Sequence, residues 1–391
     1  MRIPFLLLAA CTVVAPLGAQ TISGTVFADR NGNGARDPGE PGVANVAVSD
    51  QDTVVLTNAA GVYTLRVKPP FPGLTRSQGI VFVSVPDGYR AAGGFWRKRA
   101  DGLAFALVPS TARGSFTFVH ASDTHVSQQS LARTQRLRSM VDSLHADFIV
   151  ITGDLVRDAL RVGEPEARGY YDMFAAERKS FRTPVYTVPG NHEMFGIETH
   201  LSHVSPTNPF FAREMYHSYF GPDYYSFTYG GVHFVGLNTI DIEGESYYGH
   251  VDSLQHAWLA RDLAAIPHDM PVVTFDHIPF YTTGEQLNGY MADGPAPSLI
   301  TIDGKPQFRH SVSNASDVIA LLGPRRRVLA LGGHMHFAES IDRPGENVRY
   351  ALSAATVGPS GDLPSGFTVY TVRNGVIDAG RFVRLDPLPT P

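Results

Sequence analysis

Five short apolar runs constrain this chain most, because each ends in a polar motif of its own. Residues 116–122 lead to Asp123-Thr124-His125, and residues 148–152 lead to Gly153-Asp154. Residues 185–189 lead to Gly190-Asn191-His192-Glu193, residues 272–276 to His277, and residues 328–332 to Gly333-His334-Met335-His336. The runs are rich in β-branched residues and read as buried strands. Helical stretches are expected between them at 128–144, 166–180, 253–265 and 314–322. In the first of these, Leu131, Leu137, Val141 and Leu144 share one face. Strands are expected at 116–120, 147–152, 184–188, 232–237, 271–275 and 327–331, with more between 348 and 384. Alternating strand and helix implies a layered α/β fold. Loops at the carboxyl ends of such strands converge on one crevice, so residues two hundred positions apart can meet there.

The residue types suit one another chemically. A pair of divalent cations about 4 Å apart needs a shared carboxylate and neutral donors around it. Asp supplies charge, imidazole suits Fe, Mn, Zn or Ni, and Asn supplies a carbonyl oxygen. Glycines before Asp154, Asn191 and His334 permit sharp turns and close backbone approach. Taken singly, each motif is weak: a lone His277 or one Gly-His-Met-His turn is more often structural. The ordered set of five resembles the calcineurin-like metallophosphoesterase family over about residues 115–384. That resemblance implies a layered β-sandwich flanked by helices and a dinuclear metal centre. It assigns Asp123, His125 and His336 to one metal, Asn191, His277 and His334 to the other, and Asp154 to the bridge between them. It also implies attack on phosphorus by a metal-bridging hydroxide.

In the family the His of the Gly-Asn-His motif faces the substrate, which makes His192 the candidate catalytic group beside Asp154. Glu193 matches the acidic position that follows and is expected to orient His192 or a nearby loop. Purple acid phosphatases resemble the same framework but place Tyr where this chain has Arg157, so a tyrosinate-bound ferric site is not expected. Arg157 reads either as a phosphate contact or as a surface partner of Asp158. The other histidines, His310 among them, match no motif and read as structural. His200, His203 and His217 lie on the segment after Glu193. The aromatic stretch 195–229 reads either as a packed layer or as a wall of the cleft, and the Gly- and Pro-rich stretch 281–310 as a second long loop.

From Thr21 to about residue 112 the pattern differs. Short runs at 22–27, 43–48, 53–57, 61–67 and 80–85 are punctuated by Gly, Pro, Asn and Asp. They suggest a small all-β sandwich domain. The catalytic domain is then expected over 113–386, with 387–391 as a tail. Within the first domain, residues 29–40 follow the spacing of a calcium-binding loop. Asp29, Asn31, Asn33, Asp37 and Glu40 supply side-chain oxygens, Ala35 a backbone carbonyl, and Gly34 the sharp turn. No helices flank the loop, so a structural Ca2+ is expected rather than a sensor; the alternative is an ordinary polar turn. The loop and its surroundings resemble the calcium-binding sandwich domains of the SdrD B-like type. Whether this domain contacts the cell envelope, covers the cleft or acts as a spacer is left open by the sequence.

Residues 1–20 carry one Arg, an apolar stretch, Pro16 and small residues, and read as a signal peptide cut near Ala19. That makes the mature chain secreted or periplasmic. Leu8 to Cys11 also resembles a lipobox, which would anchor the chain through Cys11 instead. Cys11 is the single cysteine, so the mature chain has no disulfide. No later segment is apolar enough to span a bilayer. The net charge of -5 argues against a protein that coats nucleic acid. It leaves a small phosphate ester as the expected partner, because bound cations supply local positive charge. The expected function is therefore a secreted dinuclear-metal phosphoesterase acting on mono- or diesters. The alternative is a binding or adhesion protein on a degenerate scaffold, which predicts lost ligands; none is lost here.

Overall fold

Alternation along the central strands sorts their side chains between two cores. In the strand Phe148–Thr152, Phe148 and Val150 enter one hydrophobic cluster while Ile149 and Ile151 enter another. In Ser115–Ala121, Phe116 and Phe118 face the first, and Val119 and Ala121 the second. A period of two with both faces buried is what a sheet covered on both sides requires. The structure is a computed structural model, which describes residues 20–67, 79–111, 113–288, 297–323, 325, 328–343 and 345–386. The expected signal peptide up to Ala19, with Cys11, and the tail 387–391 lie outside the described residues.

Two six-stranded sheets form the larger part of the molecule. One runs Val185–Val188, Phe148–Thr152, Ser115–Ala121, Gly366–Arg373, Val376–Ile377, with Arg381–Arg384 also on Gly366–Arg373. The other runs Tyr225–Tyr229, Val232–Gly236, Val272–Phe275, Val328–Gly332, Val348–Leu352, Glu339–Arg343. The motif-bearing strands pair in parallel within each sheet. Their carboxyl ends therefore lie together at one edge. Between the sheets, Phe118 and Phe148 from one meet Phe234 from the other, with ring centroids 5.4 and 5.0 Å apart. Helices Leu131–Leu144 and Glu164–Ser180 cover the outside of the first sheet, burying Leu137, Val141, Tyr171 and Phe174. Helices Ser253–Ala264 and Ala315–Leu322 bury Trp258, Leu259, Val318 and Leu322 against the second. Leu144, expected on the buried face, is exposed, because the helix stops there and the chain turns at His145 (φ 52°). The aromatic stretch is mainly a packed layer: Phe195, Tyr216, Phe220, Tyr224 and Tyr225 are all buried.

The N-terminal region is β-rich, as expected, but holds more strands than its sequence suggested. Its two four-stranded sheets add Tyr89–Ala92, Trp96–Lys98 and Leu103–Pro109. The expected strand at 43–48 is realised only as Ala47–Ser49, because the chain bends through Asn45 (φ 59°). The loop at 29–40 folds onto its own side chains. Asp29 accepts from the amides of Gly32, Asn33 and Gly34, and Glu40 from those of Arg30 and Asp37. Asn31 and Asn33 both donate to Asp37.

This region shares a hydrophobic core with the larger part of the molecule. Tyr225–Tyr229 is the outer strand of its sheet, and the carbonyl of Val85 accepts from Thr228 N at 2.8 Å along that edge. Trp258 Nε1 donates to Ser49, and Asp87 accepts from the amides of Gly230 and Gly231. Gln51 donates to Asp223 Oδ1 at 2.7 Å, and its own carbonyl accepts from Tyr224.

Asp223 is fully buried and pairs with His217 at 2.9 Å and with Arg213 at 3.5 Å. Burial disfavours charge on both members of the first pair, but their mutual attraction wins. His217 is raised to about 9 and Asp223 is held well below the usual carboxylate range. A raised histidine stabilises the fold fully below about pH 6.5, and that contribution fades as pH rises through about 9. The depressed Asp223 sets the opposite limit, losing its contribution only in acid. Thermal melting should therefore show a decline worth about 3 kcal/mol between pH 6.5 and 9. His217→Asn should start lower at pH 6.5 and lose the share of that slope that this pair supplies.

Candidate metal centre

The five motifs meet at the carboxyl ends of their strands. Asp123, His125, Asp154 and His336 form one group whose ligand atoms lie within 4.8 Å of one another, and Asp154, His277 and His334 form a second. Asp154 belongs to both. Asn191 joins the second group, with its Oδ1 3.1 Å from His277 Nε2. All seven residues expected to hold metal thus lie in one place.

The backbone reaches this arrangement under strain. Asp123, His125, Asp154, His334 and His336 have φ of 54°, 39°, 47°, 68° and 62°. Left-handed backbone is uncommon for residues with a side chain and collects at functional sites. Glycines make the approach possible. A Cβ on Gly333 would stand 1.9 Å from Ser122 Oγ, and one on Gly153 would stand 2.7 Å from His277 Nδ1. A Cβ on Gly190 would lie 2.2 Å from Asp154 Oδ1, in spite of an ordinary φ of -105°. Gly190→Ala should therefore push Asp154 aside without altering local backbone preference. The expected result is a loss of about 1–3 kcal/mol in stability and a much lower metal content, read by melting and elemental analysis.

Hydrogen bonds behind the imidazoles point their free nitrogens inward. His277 Nδ1 is 2.7 Å from the Thr152 carbonyl and His125 Nδ1 is 3.4 Å from the Arg157 carbonyl. A carbonyl can only accept, so Nδ1 carries a proton, and in the neutral, ligating ring Nε2 keeps its lone pair. His277 Nε2 then faces Asp154 at 3.2 Å and His334 Nδ1 at 3.2 Å. His125 Nε2 faces His336 Nε2 at 3.3 Å. Burial lowers His125 to about 4 and holds His334 well below its ordinary value, favouring the neutral, ligating form. Asp123 is driven down to about 2, because attraction to His336 overcomes burial. The donor set of Asp, His and Asn gathered here is compatible with two divalent cations.

The remaining expected residues sit around this cluster. His192 stands edge-on to His125, with ring centroids 4.6 Å apart, and its Nε2 is 3.9 Å from Asp154. Glu193 is fully buried beneath it; its two oxygens accept from Val156 N (2.9 Å) and Gly190 N (2.6 Å). Burial and the Asp154 charge raise it to about 8. It ties the loop after Asp154 to the loop before Asn191. Arg157 lends only its carbonyl to the centre; its side chain is exposed and lies near Tyr170. Asp158 pairs with Arg161, not with Arg157. His200 contacts Glu245 and His217 belongs to the buried Asp223 cluster.

Sequence reading passed over two neighbours of His334 and a third residue behind them. The ring of His310 is 5.2 Å away, Tyr247 is 6.2 Å away, and Arg309 lies over the Tyr247 ring at 4.2 Å. None carries a motif, and His310 comes from the long irregular stretch where no periodicity guides a reading.

No curated protein sequence matches the chain. Among solved structures, a dimetal phosphatase from Danio rerio is similar at 16% identity, covering 68% of this chain and 96% of that one, with a TM-score of 0.46. An anchor protein of the Plasmodium inner membrane complex is similar at 14% identity, covering 70% and 85%, with a TM-score of 0.41. The family model described as calcineurin-like phosphoesterase matches residues 116–337, a stretch that contains every residue of the two groups. With more than half of its length matched, the chain belongs to the calcineurin-like phosphoesterase family.

Proposed function

We propose that this protein is a dinuclear-metal phosphoesterase that hydrolyses phosphate mono- or diesters outside the cytoplasm. The observation that carries this reading is Asp154, one buried carboxylate shared by two ligand groups with no expected ligand missing. Asp123, His125 and His336 would hold one cation, Asn191, His277 and His334 the other, and Asp154 both. Two such cations supply an activated water at neutral pH and positive charge for the phosphoryl oxygens. The chain itself supplies the rest. His192, partly exposed beside the cluster, is placed to donate a proton or hydrogen bond to the departing oxygen. The amide of His192 donates to Asp154 Oδ1 at 3.0 Å, which fixes the imidazole relative to the shared carboxylate. Glu193 holds the two loops in register.

Export is supported by the leader-like residues 1–20, and no helix among the described residues is long and apolar enough to cross a membrane. A structural Ca2+ in the loop at 29–40 is supported by the inward fold of Asp29, Asp37 and Glu40. The test is full-length protein loaded with Mn or Zn and assayed on p-nitrophenyl phosphate and bis-p-nitrophenyl phosphate. Turnover of either supports the reading; loaded protein that turns over neither favours a binding role.

A further inference from the structure

We propose that His310 is a substrate-contacting residue that, opposite His192, makes the site prefer phosphodiesters to phosphomonoesters; the proposal rests on the phosphoesterase reading above.

The two histidines are placed alike. His192 meets the ligand His125 edge-on, with interplanar angle 87° and centroids 4.6 Å apart. His310 meets the ligand His334 edge-on, at 89° and 5.2 Å. Their side chains are equally open, 22% for His192 and 21% for His310. Each turns Nδ1 toward a carboxylate: Asp158 at 3.9 Å for His192, and Glu285 at 3.2 Å for His310. His125 and His334 belong to different ligand groups joined through Asp154, so the two imidazoles flank the centre on different sides.

His310 is held there. Glu285 is buried, and its Oε2 accepts from Ser298 Oγ at 2.7 Å. Its Oε1, which faces His310 Nδ1 at 3.2 Å, has no other partner among the described residues. An otherwise unused buried carboxylate oxygen is a costly thing to keep, and orienting an imidazole gives it a purpose. The amide of Arg309 donates to the Ser298 carbonyl at 3.0 Å, which ties the His310 segment to the same anchor. With Nδ1 turned to Glu285, Nε2 is the nitrogen left for a ligand, and no hydrogen bond engages it among the described residues.

Ester geometry supplies the substrate class. A phosphodiester that turns its two non-bridging oxygens to the centre directs its two ester oxygens away from it on diverging paths, each with a substituent to be held. A monoester has one such substituent. One flanking imidazole serves a monoester; two match a diester, with His192 at the departing alcohol and His310 at the substituent that stays. His310 binds and orients that substituent and transfers no proton. Loss of one such contact lowers kcat/KM for the substrate that makes it.

The test uses full-length, metal-loaded protein and two variants, His310→Ala and Glu285→Gln, with metal per chain measured on each sample. In His310→Ala, the ratio of kcat/KM for bis-p-nitrophenyl phosphate to that for p-nitrophenyl phosphate should fall at least about tenfold, with metal content unchanged. Glu285→Gln should lower the ratio in the same direction by less. Equal loss on both esters, or loss of metal from His310→Ala, would overturn the proposal, since His310 would then only brace His334. Should His310→Ala fail to fold, an unchanged ratio in Glu285→Gln overturns it instead. Wild-type protein inactive on both esters would sink the phosphoesterase reading itself, a result distinct from equal loss in an active enzyme.

Discussion

Asp154→Asn is expected to lower kcat/KM by at least about 1,000-fold and to leave fewer than two metals per chain. The carboxylate is buried and, among the described residues, is the one common to both ligand groups. Asparagine keeps the shape but offers one neutral oxygen where two charged ones are needed. Circular dichroism should be unchanged, because the strands that carry the motifs are held by the two aromatic cores and not by the centre. Metal content by elemental analysis and turnover should fall together. Full metal occupancy with near-normal turnover would remove Asp154 from the bridging position.

Removing residues 20–111 is expected to leave a chain that aggregates. The deletion bares the edge of the Tyr225–Tyr229 strand, where Val85 now accepts from Thr228. Unpaired edges of this kind template association between chains. It also uncovers Trp258, which is fully buried and packs at 6.2 Å from Phe82 of the N-terminal region. Asp223 loses the Gln51 hydrogen bond in the same step. Size-exclusion chromatography with light scattering should show oligomers or little soluble protein. Gln51→Ala is the milder version, with stability lowered by about 1–3 kcal/mol through the partner left behind. A truncated chain that stays monomeric and melts at the full-length temperature would show that the interface contributes nothing.

The candidate ligands were legible in the sequence because each lies one to four residues beyond an apolar run, and all but His277 lie next to a glycine or another motif residue. The strand fixes where the run ends, and the glycine fixes how close the polar residue comes. Gly190 and Gly333 show why: a single added carbon at either would collide with Asp154 or Ser122. The surroundings of His334 could not be read in this way. His310 and Glu285 are brought together by a stretch without periodicity, and Tyr247 arrives on the Ser246–Gly249 strand of a separate hairpin. The strand Leu103–Pro109 was likewise missed, since its place depends on parallel pairing with Gln20–Ala28 across most of the N-terminal region. The contact between the two parts of the molecule has no sequence signature at all. Gln51 is one residue in a polar turn until Asp223 is placed against it.

Anomalous diffraction from crystals loaded with Mn or Zn tests the central claim most directly. Two peaks about 4 Å apart should appear, with oxygens of Asp154 reaching both, His125 and His336 on one and His277 and His334 on the other. A single peak, or peaks bound elsewhere with Asp154 touching neither, would contradict the account.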